Sequence, residues 1–417
     1  MPGLGTSFGR GGATTAQQDL ANADAILIMG SSMAEQHPVA FRFVVDARER
    51  GGTIIHVDPR FTRTSAMADL WVPLRAGTDL VFLGALINYV LQNGKEFREY
   101  VVHYTNASAI IRPDFQDTED LAGLFSGWNE DDHKYITDSW LYDGLQTDGS
   151  SSEESSSSAH GLWGKSRGGQ PMKLVPEHRD MTLQDPRCVY QLLKRHFARY
   201  TPELVEQWCG TPKAQFLRVA EAYTAASGPD KTAAICYAVG WTQHSNGVQI
   251  IRTAAILQLL LGNIGRPGGG ILALRGHASI QGSTDIPTLY DILPGYLPMP
   301  KFGFDAYDLA TYIDKHRDKT GWWWNIDKYI VSLLRAYYGG AATKENDWGF
   351  EWLPRITGDH SHQGYWPDMM DGKVEGLFVM GQNPAVAGPA TRFERKAMAK
   401  LKWLVVRDMV EIESASF

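Results

Sequence analysis

Two stretches of the chain share one pattern at one spacing, and this repetition limits the fold more than any other feature. The first opens with the apolar run Ala25-Ile26-Leu27-Ile28-Met29 and turns at Gly30. It passes a loop through Glu35 and Pro38, follows a helical pattern to Arg50, and closes with Ile54-Ile55-His56-Val57-Asp58. The second opens with Gly376-Leu377-Phe378-Val379-Met380, turns at Gly381, carries Pro384 in its loop, runs helically to Leu401 and closes at Asp408. Asp58 lies 28 positions beyond Gly30, and Asp408 lies 27 beyond Gly381. Strand, tight loop, helix and strand with a terminal acid is half of a nucleotide-binding α/β unit. Loop amides and a helix N-terminus can hold phosphate, and the acid can accept hydrogen bonds from a base or sugar. Neither loop contains GxGxxG, so the signal is the matched spacing. The expectation is an α/β protein of two pseudo-symmetric domains with parallel sheets, residues 1–276 and 277–417, each holding one nucleotide end.

Between the two copies runs Leu261–Asp285, with seven glycines and the triplet Arg275-Gly276-His277 just after an apolar run. Glycine at this density lets backbone approach a ligand closely or adopt positive φ. Ile271–Leu274 reads as a short buried strand. A strand that delivers an arginine and a histidine between glycine-rich turns looks like the floor of an anion site; a glycine-rich crossover with a surface arginine is the plainer alternative.

These residues resemble a known family. Thr6–Gly12 (TSFGRGG), His56–Asp69 (HVDPRFTRTSAMAD), Leu74–Asp79 (LRAGTD), Gly240–Gly247 (GWTQHSNG), Leu274–Asp285 (LRGHASIQGSTD) and Leu293–Leu297 (LPGYL) are similar to the catalytic subunit of formate dehydrogenases in the molybdopterin oxidoreductase superfamily. The resemblance implies the molybdopterin oxidoreductase fold and a bis-molybdopterin guanine dinucleotide cofactor with molybdenum or tungsten. It implies cofactor contacts at Gly30, Ser31, Glu35, Asp58 and Arg60 for one dinucleotide, and at Gly381, Asn383, Pro384 and Asp408 for the other. Gly77, Asp79, Gly240 and Gln243 are further contacts. It places Arg275 on formate and His277 in the same pocket or on the proton path. An iron-sulfur electron-transfer subunit is the implied partner, with a membrane cytochrome subunit as a further one. The family's metal ligand with its neighbouring histidine, its iron-sulfur cluster cysteines and its C-terminal domain have no counterpart here. The expectation is therefore a central portion of a longer subunit with no metal ligand of its own. Its location is expected to be the periplasmic face of a bacterial membrane within a complex, or the cytoplasm. Another oxidoreductase of the superfamily acting on nitrate or an oxyanion, or a non-catalytic cofactor-binding module, are the alternatives.

Composition agrees with a folded protein of several domains: 417 residues, 43% hydrophobic, with a mean hydropathy of −0.27. A net charge of −7 argues against a nucleic-acid binder. No apolar run is long enough to span a bilayer. Cys188, Cys209 and Cys236 are scattered without a CxxC, so no local zinc or iron-sulfur site can be assembled, and buried free thiols are expected.

Other elements follow from local signals. Val81–Gln92 reads as an amphipathic helix capped by Thr78 or Asp79, Asp79 serving as cap or as cofactor contact. Phe97–Ile111 permits helix then strand. Residues 147–158 are low-complexity and predict a solvated loop. Asp185–Ala198 predicts a helix with Pro186 in its first turn, while Thr201-Pro202 and Thr211-Pro212 each read as cap plus N1 proline. Ala233–Val239 predicts a buried strand ending in the polar cluster Gly240–His244, with His244 taken as a core histidine, and Val248–Leu261 a helix. Trp322–Trp324 with Tyr329, Leu333 and Tyr337 form an aromatic helical stripe assigned to core packing ahead of a subunit interface.

Overall fold

The computed structural model describes residues 2–9, 11–144, 176, 178–276, 290–302, 308–317 and 322–417. His277, the rest of the glycine stretch to Asp285 and the 147–158 segment lie outside them. The chain divides into two compact units, Met1–Ala278 and Ser279–Phe417.

The first unit is built on a parallel sheet of β1 (Ala25–Met29), β2 (Thr53–Val57), β3 (Leu70–Val72), β4 (Ala233–Tyr237) and β5 (Gly270–Ala273), in the order β3-β2-β1-β4-β5. Both faces are covered, as parallel sheets require. Alternate side chains divide between two cores: Ala25, Leu27, Met29 and Ile235 face one, Ile26, Ile28, Ala234 and Cys236 the other. Helix α1 (Pro38–Glu49) covers the second face through Phe41 and Val44. Helices α2 (Asp79–Gln92), α3 (Lys213–Ala225) and α4 (Gly247–Leu260) supply the first. All three cysteines are buried free thiols.

Several local expectations change. Helix α2 is buried almost all round, Phe82 to Ile87 included, and so is not amphipathic; it lies inside a two-faced α/β layer and needs no polar side. Its Thr78 hydroxyl donates to the Arg75 carbonyl at 2.6 Å and does not cap the helix. The helix expected from Asp185 begins at Val189, because Asp180 gathers the amides of Thr182, Gln184 and Asp185 into a loop clamp that keeps Pro186 outside it. Thr201 caps Pro202–Cys209 by accepting from the Leu204 amide, as the Thr-Pro signal predicts. Thr211 does not cap: its hydroxyl donates to the Pro73 carbonyl, and Pro212 precedes α3.

In the second unit, helix α5 (Ile326–Tyr338) buries Ile326, Ile330 and Leu334, while Trp324 and Tyr337 are 51% and 48% exposed. The aromatic stripe is thus out of phase with the core-facing stripe, and the core-packing assignment fails for those two residues. The unit also contains β6 (Gly376–Met380) and β7 (Trp403–Arg407), paired in parallel and joined by the one-turn helix Pro384–Ala387 and by α6 (Thr391–Met398). This repeats β1, the one-turn helix Met33–Gln36, α1 and β2 element for element. Gly30 and Gly381 close the two first strands with φ of +69° and +64°. Among the described residues, no helix is long and apolar enough to cross a membrane.

Candidate cofactor site

The strand order of the first unit reverses between β1 and β4, so the loops after these neighbours leave in opposite directions and open a crevice at their C-terminal ends. Gly30 follows β1 and Gly240 follows β4, and their backbones touch: the Gly240 amide donates to the Gly30 carbonyl at 3.1 Å. A methyl group on Gly240 would lie 2.6 Å from that carbonyl oxygen, and one on Gly30 would lie 2.8 Å from Trp241 Cδ1. Only glycine permits this approach, and at Gly30 the positive φ demands it independently.

Around this contact the structure gathers Ser31, His56, Asp58, Asp79, Trp241 and His244. His56, at the end of β2, is fully buried; its Nε2 lies 3.2 Å from the Ser31 carbonyl and its Nδ1 2.8 Å from Ser65 Oγ. Burial lowers its pKa, opposed by the Asp58 charge and the Ser31 carbonyl. A neutral ring that donates from Nε2 to Ser31 and accepts at Nδ1 from Ser65 satisfies both contacts. Asp58 Oδ1 accepts from the Arg60 amide at 2.8 Å, and its Oδ2 stands 3.8 Å from His56.

Asp79 opens α2 and is 5% exposed. Burial raises its carboxyl pKa; hydrogen bonding to its own backbone, the nearby His244 and the Trp241 indole oppose the rise, and Asp58 adds to it. The indole N–H of fully buried Trp241 completes no hydrogen bond among the described residues. Nor is His244 a satisfied core residue: its Nδ1 is buried and has no partner among the described residues.

Arg275 emerges after β5, on the strand next to β4. One guanidinium nitrogen donates to the Gly11 carbonyl at 2.6 Å, and its Nε is buried without a partner among the described residues. The Arg275 carbonyl meets His37 Nε2 at 2.9 Å, tying this strand end to the start of α1. Burial pushes the neighbouring Tyr237 phenol up to about 12, against the Arg275 charge.

The remaining expected residues lie further out. Glu35 accepts from the Ser32 hydroxyl and stands 3.9 Å from Arg63. Arg60, Gly77 and Gln243 are exposed, Gly77 with φ of +85°. In the second unit, the Asn383 side chain is engaged with Glu413 and Ser414, Pro384 is buried at the first helical position, and Gly381 and Asp408 are exposed. Sequence reasoning did not single out His56 or Trp241 as site residues. A histidine near the end of an apolar strand, next to an acid, was the available signal for His56.

The donor set suits an anionic nucleotide cofactor. Among the described residues, Ser31 Oγ and Trp241 Nε1 are buried and unpartnered beside a glycine-glycine contact, a carboxylate stands at the end of β2, and Arg275 Nε is a buried donor without a partner. The molybdopterin oxidoreductase family model matches residues 5–416, and the chain belongs to that family. Membership implies a molybdopterin cofactor carrying molybdenum or tungsten. The nitrate-inducible formate dehydrogenase major subunit of Escherichia coli K12 is 42% identical over 421 residues, covering 99% of this chain. The formate dehydrogenase 2 subunit alpha (cytochrome c-553) of Nitratidesulfovibrio vulgaris is 41% identical over 417 residues, again covering 99% of this chain. The chain spans 38% of the length of each. Acetylene hydratase from Pelobacter acetylenicus aligns with a TM-score of 0.46 at 16% identity, covering 97% of this chain and 42% of that one.

Proposed function

We propose that the chain is the central portion of a molybdenum- or tungsten-dependent formate dehydrogenase. It would oxidise formate to carbon dioxide with a bis-molybdopterin guanine dinucleotide cofactor and pass the electrons to an iron-sulfur partner chain. The observation that carries this reading is Arg275: a guanidinium fixed at one nitrogen by the Gly11 carbonyl, with a buried donor left over, at the C-terminal end of a strand beside the switch-point crevice. Formate is small and charged, and a planar guanidinium can grip both carboxylate oxygens where lysine offers a point charge.

Ser31, Asp58, Asp79 and Trp241 would hold the first dinucleotide, and the loop of Gly381, Asn383, Pro384 and Asp408 the second. Asp79, its pKa raised by burial, can both donate and accept a hydrogen bond in its protonated form. Formate gives up two electrons and one proton on becoming carbon dioxide. His277 is assigned that proton, since histidine titrates near neutrality. The cofactor, when bound, supplies the redox chemistry. A membrane cytochrome subunit and a periplasmic face complete the proposal.

The test replaces the matching segment of the Escherichia coli relative with this chain and assays the full-length hybrid. Formate-dependent dye reduction is expected. Nitrate reduction without formate oxidation would transfer the assignment to another reaction of the family.

A further inference from the structure

Between Arg112 and Asp143 the first unit carries a lobe that the cofactor site does not use. Its charge is one-sided. Nine acids stand against two basic residues, a formal −7 equal to that of the whole chain, so the rest of the sequence is balanced. Its apolar residues face outward: Phe125, Ile136 and Trp140 are 56%, 54% and 42% exposed, with Leu124 and Tyr135 exposed among them. An apolar patch of this kind, rimmed by charge, marks a surface that something covers.

The patch is held in place by its own contacts. Phe125 and Trp140 meet the Tyr135 ring at 6.0 and 5.8 Å, and Tyr135 meets Trp128 at 4.9 Å across the hairpin of Trp128–Asn129 and Lys134–Tyr135. The Ile136 amide donates to the Gly127 carbonyl at 2.7 Å, so close an approach that a methyl group on Gly127 would lie 1.9 Å from the Ile136 oxygen. The Trp140 indole donates to the Ser126 carbonyl at 2.8 Å. Beside the hairpin opens a cleft of about 430 Å³, lined by Trp128 and Ile136 and by Asp114, Glu130 and Asp138. Asp114 is engaged with Arg112 at 2.9 and 3.0 Å. Glu130 accepts from the Trp128 indole, and neither it nor Asp138 has an ion pair among the described residues.

We propose that this lobe docks a basic partner protein, and that its cleft seats an arginine of that partner between the Trp128 ring and the Glu130 and Asp138 carboxylates. A guanidinium both stacks on an indole and forks onto a carboxylate, whereas an ammonium is a compact, strongly hydrated charge. The excess of acid draws the partner in, and the aromatic area with one seated arginine holds it. The inference does not depend on which cofactor or substrate the crevice takes.

The test titrates the purified chain with a labelled hexa-arginine peptide at physiological ionic strength, with hexa-lysine alongside. Hexa-arginine should bind, and hexa-lysine about five-fold more weakly. Trp128→Ala should weaken hexa-arginine binding about five-fold. The pair Glu130→Gln with Asp138→Asn keeps side-chain shape, removes both charges, and should weaken it about ten-fold. Asp131→Asn with Asp132→Asn removes the same charge from the hairpin tip, outside the cleft, and should cost less than about two-fold because salt screens it. Equal losses from the two pairs overturn the seated arginine, as does failure of the parent chain to bind hexa-arginine. Self-association of the parent chain that Trp140→Ser abolishes would make the patch a contact between copies and overturn the basic partner.

Discussion

At the scale of single residues the site is a set of polar atoms held in fixed states by burial. In the full-length hybrid, Arg275→Lys keeps the charge but loses the fork. It is expected to cost about 2–3 kcal/mol in kcat/KM at unchanged metal content. Loss of metal in proportion to activity would instead make Arg275 a cofactor clamp. His56 offers a pH test. Its pKa is depressed by burial, so the unfolded chain takes up a proton more readily than the folded one. The stability gained from a neutral His56 is complete above its ordinary value near 6.5 and is lost as pH falls below it. Urea midpoints measured from pH 7.5 to 5 should fall for the parent chain and flatten for His56→Gln. That variant should be about 1–3 kcal/mol less stable at pH 7.5, since it removes the buried ring that meets both the Ser31 carbonyl and the Ser65 hydroxyl.

At the scale of elements, loops decide where helices begin. Asp180 accepts from Thr182, Gln184 and Asp185, and the Thr182 side chain first, then these amides, hold its carboxyl down to about 2. A depressed acid stabilises above its unfolded pKa and ceases to as pH falls through the folded one. The difference in melting temperature between the parent chain and Asp180→Asn should thus hold steady above about pH 4 and close as pH approaches 2. Such a clamp explains why the helix expected from Asp185 starts at Val189: local side-chain-to-backbone bonds outcompete helix propensity, and the competition is invisible in hydrophobic periodicity. The strands and their terminal glycines were legible, since a buried parallel strand is a plain apolar run and Gly30 and Gly381 mark its end. The state of Asp79 was not, because it is set by burial in the folded unit, with His244 and Trp241, 165 and 162 positions away, among the groups that act on it. The phase of α5 was misjudged for a related reason, in that aromatic residues fit either a core or a surface and the Ile326, Ile330 and Leu334 stripe decides.

At the scale of the molecule, the described residues form four apolar clusters, each confined to one unit. Tyr312 is fully buried among Leu309, Ile326 and Phe350, and its hydroxyl donates to the Pro298 carbonyl at 2.9 Å. Tyr312→Ala should accelerate amide exchange across α5 while leaving β1 and β4 as protected as in the parent chain. Equal loss of protection in the five-stranded sheet would show that the two units unfold together.

The contact between Gly30 and Gly240 also sets a timetable. These residues are 210 positions apart, and a ribosome adding about 5–20 residues per second needs roughly 10–40 seconds to travel between them. Until β4 has left the ribosome, β1 has no neighbour on that side and the crevice does not exist. The nascent chain therefore presents only one wall of the crevice at that stage. On the function proposed above, loading of the cofactor belongs after synthesis of the first unit.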